Sequence, residues 1–244
     1  MPFGAGVIKF ILECNGGEAM KTIGIIAAMK TELQFLKENL KNVSVLVFSG
    51  MPFYKGVIGK IEIVLTECGI GKVNAAIYTQ MLIDKFQVDV IINTGIAGSL
   101  DDDVRHLSVV IANMITYYDV RKEQLVNCFP YQEFFVADEK LVQLLYDSSE
   151  KDSTKTGVII TGDDFISDKK KKEMLKKEYC ALCVEMEGAA IAHAAYVNKI
   201  PFCIVRCISD MADESSDTDY QQYEHIAAKK VAKMVYKAML SLCN

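Results

Sequence analysis

The sequence predicts one α/β domain, and three observations predict it. Short β-branched runs alternate with segments of helical periodicity along all but the first part of the 244 residues, the pattern of strands covered by helices. No stretch rich in Pro, Gly or Ser divides the chain, so one large domain is favoured over two small ones. Apolar residues make up 51% of the chain and charged residues 24%, which suits a packed core and argues against disorder.

Taken in order, 22–27 is a β-branched strand and 30–39 the first helix. The short runs 43–48, 55–58 and 61–66 lie close together and read as a local antiparallel meander. A helix is expected over 72–86, then an apolar strand over 88–93 and another over 108–116. Helix 138–147, strand 156–161, helix 169–178, strand 181–185, helix 187–198, strand 202–208 and a long final helix 220–242 complete the series. The sheet is expected to be mostly parallel apart from the meander. Residues 1–19 fit none of this. Val7 to Leu12 is apolar with Lys9 inside it, and Asn15-Gly16-Gly17 follows. The segment reads as an extension outside a fold spanning 20–244, with a weak export signal as the alternative.

Bulk properties exclude several functions. A net charge of −5 gives nonspecific nucleic-acid binding no electrostatic help. Arg105, Arg121 and Arg206 are the only arginines, few for a protein built around phosphate recognition. No apolar run is long enough to span a bilayer. The eight cysteines are scattered rather than spaced as a secreted disulfide scaffold. Cys180 and Cys183 form a CxxC read as part of a strand, and core thiols in a reducing cytoplasm are expected. No metal is expected: no second CxxC is present, and His106, His193 and His225 match no ligand or triad spacing. Asp101-Asp102-Asp103 lacks the spaced ligands of a calcium loop. Lys169 to Lys172 reads as a solvated basic face.

Chemistry is expected where strands end. Gly69-Ile70-Gly71-Lys72, Thr94-Gly95-Ile96-Ala97-Gly98 and Thr161-Gly162-Asp163-Asp164-Phe165 are small-residue loops after strands. In α/β sheets the ligand crevice lies outside such carboxyl ends, and glycine lets backbone amides approach a ligand. Neither glycine segment has the spacing of a Walker loop or a dinucleotide fingerprint. Three acids sit at the same level: Glu32 after the first strand, Glu185-Met186-Glu187 between a strand and a helix, and Asp210 after an apolar strand. Singly each is a helix-start acid; together they converge on one crevice if the strands share a sheet.

Six segments in order resemble the methylthioadenosine/adenosylhomocysteine nucleosidases, of the purine nucleoside phosphorylase superfamily. They are Ile23-Gly24-Ile25-Ile26-Ala27-Ala28-Met29 with Glu32, Gly69-Ile70-Gly71-Lys72, Asn93-Thr94-Gly95, Gly162-Asp163-Asp164-Phe165-Ile166, Val184-Glu185-Met186-Glu187 and Arg206-Cys207-Ile208-Ser209-Asp210. The resemblance runs from about Met20 to the C-terminus. It implies a three-layer α/β/α sandwich with a mixed central sheet, hydrolysis without a cofactor, an adenine nucleoside substrate and a homodimer whose neighbour contributes to the pocket for the 5′-thio group. It further implies that Glu32 activates water and Asp210 protonates adenine N7. Glu187 would hold the ribose hydroxyls with Met186 against the sugar. Phe165 would stack on the base and Ile166 read its edge. Arg206 and Ser209 would orient the acids, and Met29, Ile70 and Tyr220 would complete the substrate pocket.

The chemistry itself asks for such groups. Breaking an N-glycosidic bond puts positive charge on the ribose and negative charge on the base, so adenine leaves poorly unless a nitrogen is protonated. An acid at the base and a carboxylate near the sugar serve both ends, as paired carboxylates do in glycosidases. The donor must hold its proton near neutral pH, which burial can arrange. Two departures from the family stand out. Ile96 replaces a hydroxyl residue that helps hold phosphate in related phosphorylases, and Val120-Arg121-Lys122-Glu123 replaces the usual tail-pocket segment. A phosphorylase and a non-catalytic nucleoside-binding protein are the competing readings. The first would need phosphate; the second would bind without turnover.

Overall fold

Each β-branched run becomes a strand and each helical pattern a helix in the computed structural model, which describes residues 22–243. The expectation for residues 1–19 lies outside the described residues. The strands are β1 (Thr22–Ala27), β2 (Lys41–Phe48), β3 (Met51–Ile58), β4 (Ile61–Glu67), β5 (Val90–Ser99), β6 (Val109–Tyr117), β7 (Phe135–Val136), β8 (Thr154–Thr161), β9 (Cys183–Glu185) and β10 (Phe202–Asp210). The helices are α1 (Lys30–Asn39), α2 (Lys72–Phe86), α3 (Lys122–Asn127), α4 (Glu139–Ser148), α5 (Lys169–Tyr179), α6 (Gly188–Val197) and α7 (Ser216–Ser241). α1 and α4 each pack against α7, and α2 packs on α6, so helices cover the central sheet as two outer layers. The three-layer α/β/α fold expected from the sequence is present.

The sheet is mixed rather than mostly parallel. Its described strands make five parallel pairings and five antiparallel ones. β2, β3 and β4 form the expected antiparallel meander and join β1 through β4. At the other end β10 turns back to pair with β5, so β5, β10, β6, β8 and β9 close into a ring. This closure explains why β5 runs to Ser99 although its second half reads as a glycine loop. β10 lies beside it from Ile91 to Gly98, and that ladder overrides local propensity.

β5 also forks the sheet. Along one edge its first half pairs with β1 up to Asn93, and its end pairs with β9 from Gly98. Between these points β1 has turned into α1 and β9 has not begun. The fork lies at the carboxyl end of β1, and the site opens there.

Elsewhere the structure departs from the expectation in ways that have local causes. α7 starts at Ser216 rather than Tyr220, because the turn before it is tied off locally: Asp213 N donates to Ser216 Oγ (2.8 Å) and Ser215 N to Asp213 Oδ1 (2.9 Å). β7 adds two residues to the edge of β6, where the Phe135 ring stacks on His193 at 4.9 Å. Lys172 is not part of a solvated face. It is buried, and its ammonium donates to the carbonyl of Met211 at 2.7 Å. Cys180 does not sit on a strand either: it ends α5 in the left-handed conformation (φ 50°) and is exposed. The seven described cysteines are free thiols; Cys68, Cys183, Cys203 and Cys207 are buried, and Cys128 is exposed.

Candidate active site

Glu32 is placed by the first turn of α1. Its carboxylate reaches back to accept from its own helix start, Met29 N (2.9 Å), and across the fork to accept from Ile96 N (3.0 Å). The side chain is 3% exposed. Burial raises its pKa, against the opposing pull of the Arg206 charge and of the backbone donors. Gly95 makes this reach possible, since a Cβ there would lie 2.6 Å from Glu32 Oε1.

Asp210 ends β10, all nine of whose residues are buried. Ser209 Oγ donates to its Oδ2 (2.9 Å) and Ala212 N to its Oδ1 (3.0 Å). Burial nevertheless dominates, and the carboxyl titrates above the ordinary aspartate range. A carboxylic acid that keeps its proton longer than usual is the property that a general acid needs.

Glu185 and Glu187 form the floor, with Arg206 behind them. Glu187 is buried and accepts from Gly71 N at 2.8 Å. Burial first, and then the neighbouring Glu185 charge, push its pKa up. Glu185 is held by Thr161 Oγ1, by the Gly188 amide (2.7 Å) and by the Arg206 guanidinium. Arg206 Nη2 also donates to Asn93 Oδ1 at 2.5 Å. The ion pair is almost wholly enclosed, which makes the loss of either partner costly, about 3–5 kcal/mol.

These groups meet in one cleft of about 420 Å³. Ten of the eleven residues singled out in the sequence line it: Met29, Glu32, Ile70, Phe165, Ile166, Met186, Glu187, Ser209, Asp210 and Tyr220. Arg206 does not; it stands behind the wall, spent on Glu185 and Asn93, and makes no hydrogen bond to Asp210. Phe165 is 44% exposed and stands edge-on to Tyr220, with ring centroids 6.0 Å apart. The Tyr220 hydroxyl donates to Met29 Sδ at 3.3 Å. Aromatic and apolar walls with a few converging polar groups suit a flat heterocycle attached to a polar ring. Among the described residues lining the cleft there is no Lys, Arg or His.

The Phosphorylase superfamily matches residues 22–241. The chain belongs to that superfamily. Relatives within it include nucleosidases. The chain is 38% identical over 231 residues to the 5′-methylthioadenosine/S-adenosylhomocysteine nucleosidase of Staphylococcus carnosus, covering 90% of this chain and 100% of that protein. It is 35% identical over 233 residues to that of Tolumonas auensis, covering 90% and 99%. The S. pneumoniae enzyme of the same description, solved with a transition-state inhibitor, MT-ImmA, superimposes with a TM-score of 0.87 at 34% identity, covering 91% of this chain and 99% of that one. Membership of this nucleosidase family makes the chain an N-glycosidic hydrolase.

Some cleft residues of this family member gave weak signals or none in the sequence. Glu185 lay in view beside Glu187, but its partner Arg206 is 21 residues away, and nothing local pairs them. Asp164 and Asp217 line the mouth; each reads in sequence as an ordinary loop or first-turn acid. Ile96 lines the cleft with its side chain while its amide serves Glu32.

Proposed function

We propose that the chain hydrolyses the N-glycosidic bond of 5′-methylthioadenosine and S-adenosylhomocysteine, releasing adenine and the thioribose. One observation carries the choice of hydrolysis: the cleft is lined by Glu32, Glu185, Glu187 and Asp210 with no cationic side chain among its described lining residues. A phosphate dianion would meet carboxylates and no partner. Water and a developing ribosyl cation are the species such a surface favours. Ile96, an alkyl group at the fork, adds nothing that would hold phosphate.

In this reading Asp210, whose carboxyl burial helps to keep its proton, donates to adenine N7 as the bond to the ribose lengthens. Ser209 fixes its orientation. Phe165 stacks on the base, with Ile166 at its edge. Glu187 binds the ribose hydroxyls with Met186 against the sugar, and Met29, Ile70 and Tyr220 close the pocket. Glu32 takes a proton from the attacking water, and the Arg206–Glu185 pair holds the floor rigid. Each proton transfer is worth about 10²–10⁴-fold.

The exposed apolar side chains Val73 and Ile77 on α2, next to Ile70 at the cleft, support a homodimer whose second copy closes the 5′-thio pocket. The free cysteines fit a cytoplasmic enzyme, and among the described residues no helix is long and apolar enough to cross a membrane.

The test is product analysis with methylthioadenosine in phosphate-free buffer. Free adenine and methylthioribose are expected at a rate that added phosphate leaves unchanged. Appearance of a ribose 1-phosphate, or dependence on phosphate, would establish the phosphorylase instead. Asp210→Asn should lower kcat by at least about 10²-fold while the thermal midpoint holds.

A further inference from the structure

Lys72 stands outside the cleft lining, yet it ties together three loops, two of which line it. It is the first residue of α2, directly after Gly71, whose amide holds Glu187. Its ammonium lies 2.5 Å from Asp119 Oδ2, after β6, and 3.2 Å from Asp163 Oδ2, after β8. The backbone takes part too. Lys72 N donates to Asp163 Oδ1 (3.3 Å), and Asp163 N donates to Asp119 Oδ2 (3.0 Å). The Lys72 side chain is 19% exposed and that of Asp119 28%. Partial burial works against the ammonium, but the two carboxylates outweigh it and hold its pKa above the ordinary lysine value. The Asp163 side chain is 58% exposed, but a connected set of charge-assisted hydrogen bonds restrains geometry better than a lone surface pair does.

The restraint bears on a strained point. Gly71 adopts φ 100°, which only glycine takes easily, to aim its N–H at Glu187. That peptide is held on its carbonyl side by Asn74 Nδ2, which donates to Ile70 O (2.8 Å), and Gly71 O accepts from Ala75 N (3.1 Å); the Lys72 side chain adds the tie to the loops after β6 and β8. We propose that Lys72, clipped between Asp119 and Asp163, is a positioning residue that holds the Gly71 amide against Glu187 and so sets the carboxylate for the ribose hydroxyls. The inference rests on the ribose role given to Glu187 above.

The experiment compares Lys72→Met, Lys72→Arg, Asp119→Asn and Glu187→Gln in the full chain, on methylthioadenosine and on its 2′-deoxy and 3′-deoxy analogues. Glu187→Gln should lose most on the substrate whose hydroxyl it holds and little on the analogue that lacks that hydroxyl. Lys72→Met and Asp119→Asn should repeat that selectivity, with kcat/KM down about tenfold on the riboside and less than about threefold on the insensitive analogue. Lys72→Arg should recover most of the loss. Equal losses on all three substrates, or no loss, overturn the clip even when Glu187→Gln discriminates. A Glu187→Gln that does not discriminate overturns the ribose reading itself, and the clip with it.

Discussion

Asp210 has neighbours that favour its ionised form, Ala212, Ser209 and Ser216, and its pKa is still raised because burial outweighs them. The balance can be moved one bond at a time. Ser209→Ala removes a donor to the carboxylate, so the pKa should rise further. Activity that depends on the protonated acid is lost as pH rises, and the alkaline limb of kcat should therefore move up by about one pH unit, taking a charge-assisted bond as about 1.5 kcal/mol or more. A limb that stays in place or moves down would mean that another group sets it. Glu187 offers the matching stability measurement. Its folded-state pKa is raised above the model-compound value of 4.5. The folded form then binds the proton more tightly than the unfolded one. The stability this contributes is complete below the ordinary glutamate range and is lost as pH rises through the raised value. Glu187→Gln, which can still accept from Gly71, should gain stability relative to the parent at about pH 8 and lose that advantage toward about pH 4. Urea unfolding across that range reads the difference.

At the scale of elements, the fork in β5 is what the active site is made from. Glu32 supplies the acceptor that a neighbouring strand would otherwise give to Ile96 N. Gly95→Ala would force a methyl against the carboxylate, and kcat should fall by about tenfold or more, since small displacements of catalytic groups are costly. A rate within twofold of the parent would show that Glu32 tolerates the shift. The sequence made β1, α1 and α2 legible to the residue, because β-branched runs and helical spacing are local signals. The second half of β5 was not legible: its glycines argue for a loop locally, and the deciding contact is β10, more than a hundred residues away. A gap of 21 residues hid the Arg206–Glu185 pair, while the acids Glu32, Glu187 and Asp210 could be singled out because each follows a strand. Lys172 misled because a lysine run looks solvated, whereas its buried stem ends on a carbonyl.

At the scale of the molecule, Val73 (71%) and Ile77 (50%) leave apolar side chains exposed beside Ile70 of the cleft, and the proposed homodimer would cover them. Val73→Asp should shift the species seen by light scattering toward monomer and raise KM for thioether nucleosides. A parent protein that is monomeric at micromolar concentration would remove the basis for a shared pocket.

Because β5, β10, β6, β8 and β9 bond to one another all the way round, that half of the sheet offers no place for unzipping to begin. The free margin is β2, seven of whose eight residues are exposed. Amide hydrogen exchange should therefore be graded across the molecule: fast along 41–48, slower through β3 and β4, and slowest in the closed half, where amides are released only when the whole domain opens. The proposed proton donor Asp210 lies in that last-melting half, so the chemistry would outlast a good deal of fraying at the opposite rim.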